Sequence, residues 1–264
     1  MAGVPGAPVI AELLPPAAAV VDARGSLPGE ALLPEEEPLV ARAVEKRRAE
    51  FTTVRTCARR ALAQLGLPPG PLLSGQKREP LWPAGVVGSL THCAGYRAAA
   101  VARASDLATV GIDAEPHAEL PEGVLDRVSL PVERHQLRRL PAGVHWDRVL
   151  FSAKESVYKA WYPLARCWLG FEDARLDFRP GTGPDRGTFT AELLVPGLPP
   201  VGGREVRVLS GRYAVGDGLL ATAVALPARP DDPAAPDRPP GPAAEDCARP
   251  TGEGPGAWLA TGLS

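Results

Sequence analysis

In "VGIDAEP", residues 110–116, two carboxylates stand one residue apart at the end of an apolar run. Alternate residues of a strand point to the same face, so Asp113 and Glu115 should share one. Two like charges placed that way belong either on a face open to water or around a cation. Mg²⁺ is a hard ion that takes one or two carboxylates and completes its shell with water and substrate phosphates. A third acid, Glu155, lies in "FSAKESVYKAWYPL", residues 151–164, with Lys154 before it and Lys159 four residues on. Residues i and i+4 share a helix face, and an exposed pair there contributes only about 0.3–0.5 kcal/mol. Ser152 and Glu155 also fit a capping box, which would give Glu155 a purely structural duty. Phe151, Tyr158, Trp161 and Tyr162 make the surroundings apolar, however, and charges at the border of a packed face need partners. A metal carboxylate and two phosphate-seeking ammoniums would supply them.

A second group of side chains suits phosphate. In "SLTHCAGY", residues 89–96, His92 ends an expected strand behind the small hydroxyls Ser89 and Thr91. A lone histidine of this kind serves packing more often than chemistry, so phosphate contact by Thr91 and His92 is one of two readings. Arg47 fills an apolar slot of an expected helix, which aims its guanidinium at the protein body unless it snorkels outward. Arg55 borders the same stripe, and Lys77 and Arg78 sit in the turn-rich loop "SGQKREPLWP". Together these four cations could grip a phosphate, which arginine binds through a two-pronged contact. Lys46, Arg48, Arg59 and Arg60 read as solvated charges.

The elements that must position these groups follow from periodicity. Residues 35–66 form the clearest helix, with acids leading it, an apolar stripe at spacings of three and four, and Gly66 ending it. Residues 86–115 read as a three-strand meander, 119–165 as mostly helical, and the rest to 227 as strands, with Gly-Asp-Gly at 216–218 marking a tight turn. Helix followed by strands occurs twice. This suggests an α+β chain of two similar halves, 1–110 and 111–228. Beyond them the segment 229–264 holds eight prolines and five glycines in 36 residues. Such a composition cannot bury enough apolar surface to offset ordering, so disorder is expected there.

The bulk composition excludes several classes. A net charge of −2 over 264 residues provides no basic field for nucleic acid. The four cysteines lack C-x-x-C spacing and read as thiols in a reducing compartment. No run of 18 apolar residues occurs, and the N-terminal apolar stretch is cut by prolines and lacks a basic lead. A cytoplasmic protein without a membrane span or signal peptide is expected, and the doubled length favours a monomer.

Taken in order, "GSLTHCAGY", "VGIDAEP" and "FSAKESVYKAW" resemble the 4′-phosphopantetheinyl transferases of the Sfp/EntD type. The upstream "RRAEFTTVRTCARRALAQLG" and "KREPLWPAGVVGSLTHC" resemble the EntD branch and its actinobacterial members, and the similarity covers about residues 35–227. The resemblance implies a fold of two similar α+β halves with the active site between them. It implies transfer of 4′-phosphopantetheine from coenzyme A to a serine of an acyl or peptidyl carrier protein, with release of 3′,5′-ADP. On the matching positions, Asp113, Glu115 and Glu155 become Mg²⁺ ligands, and Lys159 meets the scissile phosphate. His92 contacts coenzyme A phosphates. Arg47, Arg55, Lys77 and Arg78 hold the nucleotide end. Glu155 is the expected base, and Lys154 the expected second phosphate contact. The alternative is a module that binds coenzyme A or carrier proteins without transfer.

Overall fold

The computed structural model describes residues 10–75, 77–196, 198–201 and 204–228. The expected disordered tail, 229–264, lies outside them. A three-stranded and a five-stranded antiparallel sheet, each backed by one 20-residue helix, form the body of the described chain. This is the doubled α+β architecture expected from sequence.

In the N-terminal half, α1 (Glu45–Gln64) packs on a three-stranded sheet of order β1-β3-β2. Its strands are β1 (Ala19–Ala23), β2 (Val86–Cys93) and β3 (Tyr96–Arg103). Strand β1 is absent from the sequence-based reading, although "AVVDA" carries two adjacent β-branched residues. The helix expected over 35–66 is shorter than its pattern. Residues Glu37–Val40 form a 3₁₀ turn, and α1 begins only at Glu45. The cause is Glu36, whose side chain is wholly buried. Its oxygens accept from Arg59 at 2.8 and 2.9 Å and from the amides of Leu33 and Leu72. This pins the chain across α1 instead of letting it continue the helix. Arg59, expected to be solvated, is therefore an internal tie.

The expected three-strand meander is a hairpin plus a strand that leaves it. β2 and β3 pair from Val86↔Arg103 to Cys93↔Tyr96, but the far edge of β3 is occupied by β1. β4 (Leu107–Pro116) instead enters the second sheet, of order β4-β10-β9-β6-β5. It runs unbroken across residues 110 and 111. The remaining strands of that sheet are β5 (Ala174–Pro180), β6 (Arg186–Leu193), β9 (Val208–Gly216) and β10 (Leu219–Pro227). A two-stranded ribbon, β7 (Leu198–Val201) with β8 (Arg204–Val206), lies between β6 and β9 in the chain. The β9–β10 turn is made by Asp217 and Gly218 with φ of 52° and 73°. Two successive left-handed residues suit the right-handed twist of a hairpin.

Three helices fill the stretch 119–165: α2 (Val124–Val128), α3 (Pro131–Leu137) and α4 (Trp146–Ala165). Because α4 starts at Trp146, Ser152 stands inside it and caps nothing. Its hydroxyl meets Thr222 of β10 at 2.9 Å. Trp161, Leu164 and Leu169 are buried in the core between α4 and the large sheet. Trp161 donates to the Cys167 carbonyl at 3.1 Å, so it is a packing residue.

The two halves meet through small residues. Ala98, Ala100 and Ala102 of β3 share one buried cluster with Val110, Ile112 and Ala114 of β4 and Ala221 and Ala223 of β10. Side-chain hydroxyls stitch the seam. Ser89 Oγ accepts from the Ile112 amide at 3.1 Å, and Thr91 Oγ1 from the Ala114 amide at 3.0 Å.

Gly111 sets how close α4 comes to β4. A Cβ there would lie 2.0 Å from the Ser156 carbonyl oxygen and 2.7 Å from the Ala160 amide. Thr109 donates to the Ala160 carbonyl at 2.8 Å beside it. Both clashing atoms belong to backbone, so the helix itself must move. Gly111→Ala is expected to destabilise the protein by about 3 kcal/mol, read as a lower urea midpoint at unchanged m-value. It should also lower activity, because α4 carries Glu155 and Lys159.

Candidate active site

The contact of α4 with β4 brings together side chains 46 positions apart in the chain. Lys159 donates to Asp113 Oδ1 at 2.7 Å and to the Ile112 carbonyl at 3.1 Å. Thr91 reaches the same Oδ1 at 3.3 Å. The other oxygen, Asp113 Oδ2, is buried without a hydrogen-bond partner. Both oxygens of Glu155 are likewise buried and unpartnered, and its residue is 1% exposed. The expected Glu155–Lys159 helix pair is therefore absent, since Lys159 reaches across to the strand. Burial pushes the Glu155 carboxyl up to about 8, opposed by Lys159 and reinforced by Asp113 and Glu115.

Glu115 is held differently. Its Oε2 accepts from Arg148 of α4 at 3.0 Å, and Arg148 also donates to the Ala118 and Glu119 carbonyls. Burial raises the Glu115 carboxyl, and the charge of Asp113 adds to this, while Arg148 and Lys159 pull it down. Arg148 was not foreseen as a site residue. It stands two helical turns before Glu155, and that spacing on one α4 face is the signal that could have found it.

Three acids from two segments thus sense one another's charge. Among the described residues no three His, Cys, Asp or Glu side chains form a ready-made metal shell. Lys159 and Arg148 hold two of the three carboxylates in place of a cation. The donor set nevertheless fits a hard divalent ion. It consists of carboxylate oxygens, and three of those oxygens are buried with nothing to bond. Leaving a buried acceptor unsatisfied costs about 1–3 kcal/mol. Mg²⁺ also needs no more than two carboxylates when phosphate and water complete its shell.

The cationic side of the site comes from the N-terminal half. Arg47 Nη1 lies 2.6 Å from His92 Nε2. Burial pulls the Arg47 guanidinium below its ordinary range, Glu50 opposes this, and nearby Arg78 adds to it. Burial also lowers the His92 imidazole to about 3, and the charges of Arg47, Lys159, Arg97 and Lys46 act in the same direction. His92 is thus neutral at physiological pH and sits among four positive charges. Arg78 takes a left-handed backbone with φ of 65° in an exposed loop beside Lys77.

Three expected phosphate contacts need correction. Lys154 is 3% exposed and turned away from Asp113. Its ammonium meets Glu133 at 2.9 Å, the Phe171 carbonyl at 2.6 Å and the Ala174 carbonyl at 3.0 Å. An ammonium has three donors, and these partners use all of them. Thr91, 3% exposed, spends its hydroxyl on Asp113 and the Ala114 amide. It orients an acid and does not face a phosphate. Arg55, 4% exposed, donates to the Leu72 carbonyl and to Ser74 Oγ, and its guanidinium lies 4.1 Å above the Phe51 ring. It anchors the start of the loop that carries Lys77 and Arg78.

One side of this site is therefore acidic and short of partners, and the other is cationic. A chain with this layout matches known proteins along most of its length. Residues 35–102 match the 4′-phosphopantetheinyl transferase N-terminal domain, and residues 109–195 match the 4′-phosphopantetheinyl transferase superfamily model. The first match contains Arg47, Arg55 and His92, and the second contains Asp113, Glu115, Glu155 and Lys159. The 4′-phosphopantetheinyl transferase Svp of Streptomyces mobaraensis is 58% identical over 226 residues, covering 83% of this chain and 90% of that protein. The 4′-phosphopantetheinyl transferase PptT of Mycobacterium tuberculosis is 56% identical over 200 residues, covering 75% of this chain and 88% of that protein. The 4′-phosphopantetheinyl transferase Npt of Nocardia iowensis is 54% identical over 195 residues, covering 73% and 88%. Identity this high along both halves, with the acids and the cations inside the matched segments, settles the relationship: the chain belongs to the 4′-phosphopantetheinyl transferase superfamily, in its actinobacterial type.

Proposed function

We propose that this protein transfers the 4′-phosphopantetheine arm of coenzyme A to a serine of an apo acyl or peptidyl carrier protein, releasing 3′,5′-ADP. The observation that carries this reading is the cluster of Asp113, Glu155 and Lys159, in which three carboxylate oxygens stand buried without partners beside an ammonium. Asp113 and Glu155 would hold a Mg²⁺ ion, with Glu115 contributing beside its Arg148 bond. When bound, the ion would neutralise charge on the diphosphate and polarise the phosphorus for attack.

The chain's own residues do the rest. Arg47, Arg78, Lys77 and neutral His92 receive the phosphates of the nucleotide end. The serine Oγ–P bond forms as the P–O bond to the nucleotide phosphate breaks. The serine proton passes to Glu155, directly or through water. Without an ion, burial raises this carboxyl to about 8, and a bound cation would lower it again, leaving the carboxylate charged and able to take a proton. Lys159 lies beside Asp113 and stabilises the departing 3′,5′-ADP phosphate. Lys159→Met is expected to lower kcat by about 10²-fold, with a smaller change in KM for coenzyme A, in steady-state assays.

The partners are coenzyme A and an apo carrier protein. No nucleic acid or membrane enters the reaction, and among the described residues no helix is long and apolar enough to cross a membrane. We place the reaction in the cytoplasm, carried out by a monomer. The test is incubation of the protein with an apo carrier, coenzyme A and Mg²⁺, followed by intact mass. A gain of one phosphopantetheine on the carrier serine is expected. Binding of coenzyme A with no mass change across a panel of carriers would overturn the reading in favour of a non-catalytic module.

A further inference from the structure

Helix α1 carries one buried carboxylate that neither the metal-facing acids nor the phosphate-facing cations explain. Glu50 is 6% exposed and lies one turn after Arg47. Its Oε2 stands 3.7 Å from His92 Nδ1 and 3.9 Å from Arg47 Nη1, and its Oε1 stands 3.6 Å from Arg97 Nη2. Arg97 reaches this point because it is the cross-strand partner of His92 in the β2–β3 hairpin. One acid therefore faces three basic side chains from three elements.

The histidine tautomer follows from the contacts. A guanidinium has donors and no acceptor, and it keeps its proton. Arg47 Nη1 at 2.6 Å from His92 Nε2 must therefore donate to it. A neutral imidazole that accepts at Nε2 carries its hydrogen on Nδ1, and Nδ1 is the nitrogen on the Glu50 side. At 3.7 Å the carboxylate is beyond hydrogen-bond length, and it acts through its charge, which favours the tautomer that turns an N–H toward it.

The charge balance points the same way. A buried acid in a cleft built for a polyanion weakens attraction for that polyanion, so affinity alone does not account for Glu50. Arg47 and Arg97, however, each lie within 4 Å of one point, and two unneutralised guanidiniums there would repel each other outward. The side chain of Arg47 is 43% exposed and free to swing into water if nothing holds it.

We propose that Glu50 is a positioning residue for the phosphate clamp: it holds His92 as the Nδ1–H tautomer and keeps Arg47 and Arg97 turned inward before coenzyme A arrives. This rests on the transferase reading above for the identity of the ligand, and on the free protein alone for the tautomer. Glu50 itself touches no reacting atom. Its removal changes how well the clamp is assembled and leaves the chemical step nearly intact.

The test combines long-range ¹H–¹⁵N spectra of His92 in the free protein with steady-state kinetics for wild type, Glu50→Gln and Glu50→Asp. Wild type is expected to show the Nδ1–H tautomer. Glu50→Gln should shift His92 toward Nε2–H or a mixture, and raise KM for coenzyme A about tenfold, the low end for orienting groups of this kind, with kcat nearly unchanged. Glu50→Asp should recover part of the loss. An Nε2–H tautomer in wild type overturns the proposal even if no variant folds. An unchanged tautomer and unchanged KM in Glu50→Gln also overturn it. If wild type fails to turn over coenzyme A, the transferase reading falls, while the tautomer comparison still decides the role of Glu50.

Discussion

Glu155→Gln is expected to lower transfer by about 10²–10³-fold, the usual loss when one preorganised charge is removed from a site, while the protein becomes no less stable. The second half of that expectation follows from burial. Without a metal, the Glu155 oxygens have no hydrogen-bond partner and the side chain is 1% exposed. Charging it in that state is costly, so the folded carboxyl titrates at about 8, above its unfolded value of 4.5. A raised folded value means that the stabilising contribution of this group is complete below the unfolded pKa. It is lost as pH rises toward and through about 8. Glu155→Gln removes that loss, so metal-free thermal midpoints of variant and wild type should diverge as pH rises from 4.5 to about 8, with the variant the more stable at pH 8. Activity falling while stability holds or rises is the signature of a strained functional group. Near-full turnover of the variant at saturating Mg²⁺ would remove Glu155 from the mechanism.

Lys154→Ala should show the opposite pattern. Lys154 and Glu133 form an ion pair 2.9 Å long whose side chains are 2% and 1% exposed. Glu133 also accepts from the Leu130 and Leu176 amides, so it links α3 to β5. Removing one partner of a buried pair leaves the other charged and uncompensated, at a cost of about 3–5 kcal/mol. Lys154→Met combined with Glu133→Gln removes both charges and should recover much of that loss, because two buried charges no longer need solvation. Chemical denaturation of the three proteins measures this. If Lys154→Ala kept its stability but lost transfer, the lysine would belong to the phosphate site after all.

Lys154 also shows what could be read in the sequence and what could not. The three motifs "GSLTHCAGY", "VGIDAEP" and "FSAKESVYKAW", taken in order, carried the resemblance to the family. Helical periodicity located α4 and strand alternation located β4, and their contact at Gly111 is what unites the acids with Lys159. Which way a lysine on a buried helix turns is not in the pattern. Lys154 and Lys159 look alike in sequence, yet one points to the loop after α4 and the other to β4. The choice is made by carbonyls at Phe171 and Ala174 and by Glu133, all supplied by tertiary structure. The capping-box alternative for Ser152 failed for the same reason: α4 starts six residues earlier, at Trp146, whose ring packs against Phe178 and Tyr213 of the sheet.

The N-terminal half was less legible. The apolar stripe over 35–66 looked continuous, but a buried Glu36 ended it as a helix, and no periodicity counts a buried acid as core. The pattern reads Arg55 as a ligand contact and Arg59 as a solvated charge, whereas both tie loops to α1. Arg47 and His92 meet at 2.6 Å, because the helix slot of one and the strand end of the other bring them together. Glu50 and Arg97 each have a sequence relation to this pair: Glu50 lies three after Arg47, and Arg97 opposes His92 across the hairpin.

The account depends on acids from β4 and α4 jointly taking up one divalent cation in the presence of coenzyme A. Electron paramagnetic resonance of Mn²⁺ titrated into the protein with coenzyme A reads this directly, with Asp113→Asn and Glu155→Gln alongside. One bound Mn²⁺ per wild-type chain, lost in both variants and displaced by Mg²⁺, is the expected result. Equal Mn²⁺ binding by all three proteins, or full transfer by wild type after complete removal of divalent ions, would contradict it.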